Sequence, residues 1–212
     1  MPAELTVVDH PVLRDRIAVL RDETTPHGAF RRALHEASAI VAIEATRDLP
    51  TVRGEVRTPL ETTTGERLQS EVTVVPVLRA GLAMVDGFLR LLPDARVGHL
   101  GLQRDEHTLT PRGYFERLPA DLAEANVFVL DPMLATGGSA VHALDRLVEV
   151  GARDLRLICI VAAPEGVSAV QERHPDVPIW TAALDRGLDE NGYIRPGLGD
   201  AGDRVFGTPA VA

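Results

Sequence analysis

From Glu71 onward the chain alternates apolar stretches with amphipathic ones, and this alternation constrains its fold more than any other feature. Residues 72–78, 96–102, 127–130, 155–162 and 178–183 read as strands. Between them, 82–92 carries Met84, Phe88, Leu91 and Leu92 on one helical stripe, and 139–150 and 164–173 also read as helices. Strands that are apolar on both faces and separated by helices build parallel sheets, because each crossover lays a helix against the sheet. The expected fold class is therefore α/β, a twisted, mostly parallel sheet with helices on both faces. Such sheets bind ligands beyond the C-terminal ends of their strands.

The region before Glu71 is different. Residues 12–24 place Leu13, Ile17 and Leu20 on one helical face, and 30–46 do the same with Phe30, Leu34, Ala37 and Val41. Residues 51–64 are β-branched and polar, with Gly54 and Pro59 as breakers, and read as a short β-excursion or arm. Two further segments do not fit a core. Residues 103–113 are polar, and residues 188–207 carry Gly192, Gly197, Gly199, Gly202, Gly207 and Pro196. Irregular segments of this length in a compact domain are usually functional or disordered. The 212 residues suit one domain, 1–212, with a substantial core.

A hydrophobic fraction of 45% and a charged fraction of 25% are ordinary globular values and argue against disorder. The net charge of −9 repels nucleic acid and anionic membrane over most of the surface. Any bound phosphate must then be met by a local basic site. All 22 basic residues are arginine. The lack of lysine excludes a P-loop and any Schiff-base chemistry. Cys159 is the only cysteine, so no intrachain disulfide is expected; in its apolar stretch it reads as a packed small hydrophobe, not a nucleophile. The histidines show no close metal-binding spacing. The N-terminus lacks a basic region followed by an apolar stretch, so no signal peptide is expected. No apolar run approaches the ~20 residues of a membrane span. The expectation is a cytoplasmic protein with neither nucleic acid nor membrane as partner.

The strongest chemical signal is Val129-Leu-Asp-Pro-Met-Leu-Ala-Thr-Gly-Gly-Ser-Ala140. An apolar strand ends in Asp131, a short loop carries Thr136, Gly137, Gly138 and Ser139, and a helix begins. Free amides at a helix N-terminus point at an anion, glycines let the backbone approach it, and two hydroxyls add donors. Asp131 can accept hydrogen bonds from two adjacent ribose hydroxyls. The competing explanation is a plain βα turn with Ser139 as helix N-cap. Acid, strand and helix in register favour a ribose phosphate.

Here the chain resembles the type I phosphoribosyltransferases, whose 5-phosphoribosyl-1-diphosphate (PRPP) signature looks like Asp131 to Ser139. Most of that superfamily has two adjacent acids. The Asp131-Pro132 form followed by Met-Leu-Ala-Thr-Gly-Gly is similar to the uracil phosphoribosyltransferase family in particular. Val75-Pro-Val-Leu-Arg-Ala-Gly81, Val161-Ala-Ala-Pro-Glu-Gly166, Gly192-Tyr-Ile-Arg-Pro-Gly-Leu-Gly-Asp-Ala-Gly-Asp203 and Phe206-Gly-Thr208 agree with it. The resemblance implies transfer of phosphoribose from PRPP to uracil, giving UMP and diphosphate, with Mg²⁺ held mainly by PRPP and water near Asp200. It implies that Asp131, Pro132, Met133, Leu134, Ala135, Thr136, Gly137, Gly138 and Ser139 hold the ribose phosphate. Arg79 and Arg104 would meet the diphosphate, with Arg104 on a mobile loop. Residues 188–207 would form a hood over the base, using Tyr193 and the backbones of Ile194, Gly199, Asp200 and Ala201. Arg79, Arg104, Asp131 and Asp200 are the expected catalytic residues. The sequence departs from the family at Gln103, where Tyr is common, and at His107 and Thr110, where acids are common; Arg104 is kept.

Two other functions are compatible with this frame. One is a phosphoribosyltransferase for another base, which the tail from Tyr193 to Asp203 argues against. The other is an RNA-binding pyrimidine regulator on the same fold, which a net charge of −9 disfavours. The N-terminal helices and the arm point to a homodimer or larger homo-oligomer. A GTP effector rests on the resemblance alone.

Overall fold

The computed structural model describes residues 4–104 and 111–208. The chain opens with β1 (Leu5–Val7), α1 (Pro11–Arg21), α2 (His27–Ala45), β2 (Thr51–Arg57), β3 (Thr62–Leu68), β4 (Val72–Leu78) and α3 (Val85–Leu91). It continues through β5 (Arg96–Val97), β6 (His99–Arg104), β7 (Pro111–Arg117), β8 (Asn126–Leu130), β9 (Met133–Leu134), α4 (Gly138–Glu149) and β10 (Asp154–Ile158). It closes with β11 (Val161–Ala162), α5 (Pro164–Arg173), β12 (Ile179–Thr181), β13 (Ala183–Leu184), β14 (Gly187–Leu188), β15 (Ile194–Arg195) and α6 (Ala201–Phe206).

The main sheet has the order β1-β12-β10-β8-β4-β6-β7, with β5 also beside β4. All these neighbours are parallel except β6 and β7. The strands sort their side chains by parity, as a period of two demands. Val72, Val74, Phe128, Leu130, Ile158 and Ile160 face one core, shared with α1, α2, α3 and α6. Val75, Val77, Val127, Val129, Leu157 and Cys159 face the other, under α4 and α5. Each fully buried Leu, Val or Phe contributes about 1.5–3 kcal/mol by leaving water, so both faces must stay covered. The C-terminal ends of β4, β6, β8 and β10 lie on one edge, and the loops leaving that edge build the site.

The structure departs from the sequence expectations at four places, each for a local reason. Residues 103–113 are not wholly irregular: β6 and β7 pair, Gln103 with Arg112 and Arg104 with Pro111. Tyr114 and Phe115 on this edge strand are 52% and 49% exposed, so no apolar alternation marks it. Residues 105–110, with His107 and Thr110, lie outside the described residues. Residues 155–162 form two strands, because the Ile160 and Val161 amides both donate to the Pro132 carbonyl and turn the chain into a second sheet, β13-β11-β9. Residues 82–92 begin as a 3₁₀ turn, Ala80–Met84, before α3. Residues 188–207 hold a short hairpin, β14–β15, and α6, elements too brief for a periodic pattern.

Residues 51–68 form an antiparallel hairpin paired from Thr51–Leu68 to Arg57–Thr62, with almost every residue exposed. Among the described residues no helix is long and apolar enough to cross a membrane.

Candidate active site

The loop after β8 is held from behind and open in front. The Asp131 amide donates to Ile158 O at 3.1 Å, and Leu134 O accepts from the Ala163 amide at 2.9 Å. Met133 and Leu134 pair with Val161 and Ala162. Pro132 and Leu134 are buried, while Thr136 and Ser139 are exposed. The first helical bond of α4 runs from Val141 N to Gly137 O at 2.8 Å. The amides of Gly138, Ser139 and Ala140 therefore have no acceptor within the helix. Ser139, the cap in the competing plain-turn explanation, is not the cap. Gly137 is, with a φ of +84° and no side chain to close the helix end. A Cβ at 137 would lie 2.8 Å from Ala169 Cβ and 3.0 Å from Gly166 O, so only glycine sits there without displacement. The result is an uncapped helix N-terminus on a cavity of about 230 Å³ that also meets Arg79 and Asp131. Unsatisfied amides and the positive end of the helix dipole make it an anion site.

Asp131 keeps part of its surface toward this cavity and is enclosed on its other sides. Its carboxylate accepts a long hydrogen bond from the Met133 amide, 3.4 Å. Burial pushes its carboxyl up to about 7, and the Met133 amide only partly opposes this. A carboxyl so placed favours ligand hydroxyls that donate to it. Cys159, fully buried, donates to Trp180 O, and burial pushes its thiol up to about 12, so it is no nucleophile.

Arg79 follows β4 on the same edge, after a cis Leu78–Arg79 peptide. Its Nη2 meets Asp203 Oδ1 at 3.1 Å and its Nη1 meets Thr208 Oγ1 at 3.5 Å. Asp203 lies in the first turn of α6, whose N-cap is Asp200: Asp200 Oδ1 accepts from the Asp203 amide at 2.9 Å. Arg79 thus joins the loop after β4 to the C-terminal segment. Arg104 ends β6, which runs parallel to β4 with Leu78 opposite Gly101, so its backbone lies beyond the same sheet edge.

A second cleft of about 440 Å³ adjoins the first, and Met133 and Ala135 line both. Its floor includes Val161 and its roof Tyr193, Ile194, Pro196, Gly199 and Asp200. Tyr193 is 57% exposed, whereas Ile194 turns its side chain into the core. Ala201 is buried directly behind Asp200 at the start of α6. The roof is built on Asp189. Its carboxylate accepts from the Asn191 and Tyr193 amides at 2.9 and 3.0 Å and from Arg195 Nε at 2.8 Å. The Tyr193 amide above all, then the Arg195 guanidinium and the Asn191 amide, hold its carboxyl below the usual carboxylate range. The Leu188 amide donates to Glu165 at 3.1 Å, anchoring the hairpin to α5.

The two clefts bring together Arg79, Asp131, Met133, Ala135, Thr136, Gly137, Gly138 and Ser139 on one side, and Tyr193, Ile194, Gly199 and Asp200 on the other. Leu134 also lines the first cavity, while Pro132 and Ala201 stand one layer behind. Sequence reasoning missed Leu102, Val161, Asn191 and Leu198 as lining residues. Asn191 and Leu198 lie within the glycine-rich tail and were open to detection. Val161 enters only through the pairing of β11 with β9, which no local pattern announces.

The fold is that of the type I phosphoribosyltransferases. A hypoxanthine-guanine phosphoribosyltransferase from Bacillus anthracis matches it with a TM-score of 0.52 over 75% of this chain and 80% of that one, at 14% identity, a likeness of fold alone. The AQ2163 protein from Aquifex aeolicus matches with a TM-score of 0.92 and 35% identity, over 98% of this chain and 100% of that one. Residues 7–208 match the family described as uracil phosphoribosyltransferase. A uracil phosphoribosyltransferase from Salinibacter ruber is 58% identical over 96% of this chain and 97% of its own length. One from Listeria innocua is 54% identical over 97% and 99%. The chain belongs to the uracil phosphoribosyltransferase family.

Proposed function

We propose that the protein transfers the 5-phosphoribosyl group of PRPP to uracil, giving UMP and diphosphate, in the cytoplasm. The observation that carries this is the pair of adjoining clefts: an uncapped helix N-terminus beside Asp131, and a roofed slot beside it that shares Met133 and Ala135. Residues 1–212 act as one catalytic domain, with residues 188–207 as its base-binding hood. The loop from Asp131 to Ser139 takes the 5-phosphate on its amides and hydroxyls, and Asp131 takes the ribose hydroxyls. Arg79 and Arg104 face the diphosphate, for which a planar guanidinium fork is suited. Uracil lies in the slot, with its N3–H and two carbonyls matched by the backbones of Ile194, Gly199 and Ala201, and Tyr193 beside the ring.

In this reading C1 of the ribose becomes oxocarbenium-like as the C1–O bond to diphosphate breaks, and uracil N1 attacks from the opposite face, its proton passing to water or to the departing diphosphate. The chain's residues position the partners and stabilise charge rather than form covalent intermediates. Among the described residues no group of three or more His, Cys, Asp or Glu is placed to hold a metal ion. Asp200 has one oxygen engaged in capping α6. The donor set therefore suits a Mg²⁺ ion bound chiefly by diphosphate oxygens and water, with Asp200 beside it. That ion would neutralise charge on the leaving group. The hairpin arm of residues 51–68 and the N-terminal helices fit a homo-oligomer.

The test is to mix the protein, Mg²⁺ and PRPP with uracil, cytosine, orotate or hypoxanthine and identify the nucleotide. UMP from uracil is expected, with cytosine refused by about 10⁴-fold or more in kcat/KM, because backbone donors and acceptors cannot exchange roles. Comparable turnover of uracil and cytosine, or a product only from another base, overturns the assignment.

A further inference from the structure

Behind the roof of the base cleft lies a charged pair that the proposed chemistry does not use. Asp185 stands where the chain leaves β13 for the hood, and its amide donates to Ala162 O at 2.8 Å. Its side chain is only 4% exposed. One carboxylate oxygen accepts from Arg21 Nη2 at 2.5 Å, the other from Arg21 Nη1 at 2.9 Å. The second oxygen also accepts from the Gly197 amide at 2.9 Å. Arg21, at the C-terminal end of α1, donates in turn to the Gly197 carbonyl at 2.8 Å. Both main-chain groups of one glycine are thus taken by one buried ion pair.

That glycine is well placed to matter. It has a φ of +63°, and a Cβ there would run into the Ile194 carbonyl, so the chain at 197 packs directly on the backbone at 194. Two residues on, Gly199 lines the slot. The next carbonyl, Leu198 O, is held separately by Arg204 Nη1 at 2.7 Å, with the guanidinium 4.4 Å from the Phe30 ring centroid. The Gly197 amide and carbonyl and the Leu198 carbonyl are therefore all held from behind, immediately before Gly199 enters the cleft wall.

We propose that Asp185 and Arg21 are positioning residues for the base: through Gly197 they fix the register of the backbone at Ile194 and Gly199 that reads the pyrimidine edge. This rests on the uracil-transfer reading. A buried carboxylate with a bidentate arginine is a costly way to close a loop. Its short, directional bonds restrict Gly197 in two directions at once, which apolar packing does not. A shift of about 1 Å at a recognition backbone costs far more in binding than in folding. Neither Arg21 nor Asp185 lines either cleft, so the pair would act on a ligand only through the backbone it holds.

Steady-state kinetics of Asp185→Asn and Arg21→Lys test this, with KM for uracil and for PRPP measured separately at saturating co-substrate. Both variants keep a polar group in place but lose the charged fork. The expected result is a rise in KM for uracil on the order of tenfold, KM for PRPP within about twofold, and a uracil-to-cytosine preference reduced by roughly tenfold or more. A merely structural pair would lower the melting temperature and leave the ratio of the two KM values and the base preference unchanged; that result overturns the proposal. Should Asp185→Asn fail to fold, Arg21→Lys decides alone, since Arg21 is partly exposed. Wild-type protein that makes no UMP overturns the uracil-transfer reading instead, and shows it before any variant is measured.

Discussion

Binding of PRPP should expel a proton from the protein, and Asp131 should be its source. Burial pushes this carboxyl up to about 7 in the ligand-free structure. At pH 6 it is then about nine-tenths protonated, and at pH 8 about one-tenth. Ribose hydroxyls donating to it favour the ionised form and bring the value down. At pH 6 PRPP should therefore release about 0.9 proton from this group, and at pH 8 about 0.1. The linked affinity should rise by up to tenfold per pH unit below 7 and level off above it. The same raised value acts on folding with the opposite sign. Between the ordinary 3.8 and about 7, the native state binds more protons than the unfolded chain. This contribution to ligand-free stability is full below 3.8 and is lost as pH rises through about 7, by about 1.4 kcal/mol per unit at most. Calorimetric titration in two buffers of different ionisation enthalpy counts the released protons. PRPP carries titrating phosphates of its own, so the quantity of interest is wild type minus Asp131→Asn. A difference near 0.9 at pH 6 that vanishes by pH 8 is expected. Equal proton release from the two proteins at pH 6 would refute the assignment of the shifted carboxyl to the ribose site.

Gly137→Ala should destabilise the protein by about 2 kcal/mol or more, because alanine at φ +84° is strained and its methyl meets Ala169 and Gly166; denaturant titration measures it, with a raised KM for PRPP alongside. Arg79→Ala should raise KM for PRPP at least tenfold (~1.4 kcal/mol) while changing stability by less than about 1 kcal/mol, since the Arg79 side of its ion pair with Asp203 is open to solvent. Arg79→Lys should restore only part of that loss, having the charge without the fork. Arg104→Ala should weaken PRPP use with stability within roughly 0.5 kcal/mol; a large stability loss with unchanged kinetics would make it structural.

The parts of this molecule that were legible in the sequence are those whose determinants are local. Strand β4 and helix α5 coincide with their sequence-predicted ranges because a doubly buried strand and a proline-started helix each carry their pattern within ten residues. The strand-to-helix loop from Asp131 to Ser139 was legible for the same reason: strand, acid, glycines and helix are contiguous. What was hidden depends on contacts between distant segments. Asp185 and Arg21 are 164 residues apart, and neither lies in a motif. Asp189 reads as one more surface acid until the hairpin brings the Tyr193 amide over it. The edge strand β7 lacked an apolar alternation because part of it faces solvent. Residue type alone does not announce the helix cap either. Ser139 is the residue type that caps helices, but at Gly137 the chain needs a left-handed turn, and the helix end is left open.

In the proposed reading, that open end is what lets a chain of net charge −9 accept a substrate as anionic as PRPP. Many of its arginines are already committed. Arg47 pairs with Glu44, Arg146 with Glu116, Arg156 with Asp48 and Arg173 with Asp145. Such pairs cancel at a distance and leave little positive field to recruit phosphate. The cavity at the start of α4 relies on backbone amides instead, which carry no net charge and cannot be neutralised by a neighbouring acid. Even Arg79 meets an acid, Asp203, but in the open, with a 59% exposed side chain. A single partly exposed carboxylate is a weak competitor for that guanidinium. A diphosphate brings more charge and more acceptor oxygens to the same fork, so the exchange favours the ligand. Asp203 lies one turn beyond Asp200, which lines the neighbouring slot. The cation that would meet the leaving group is therefore attached, through α6, to the wall that would hold the base.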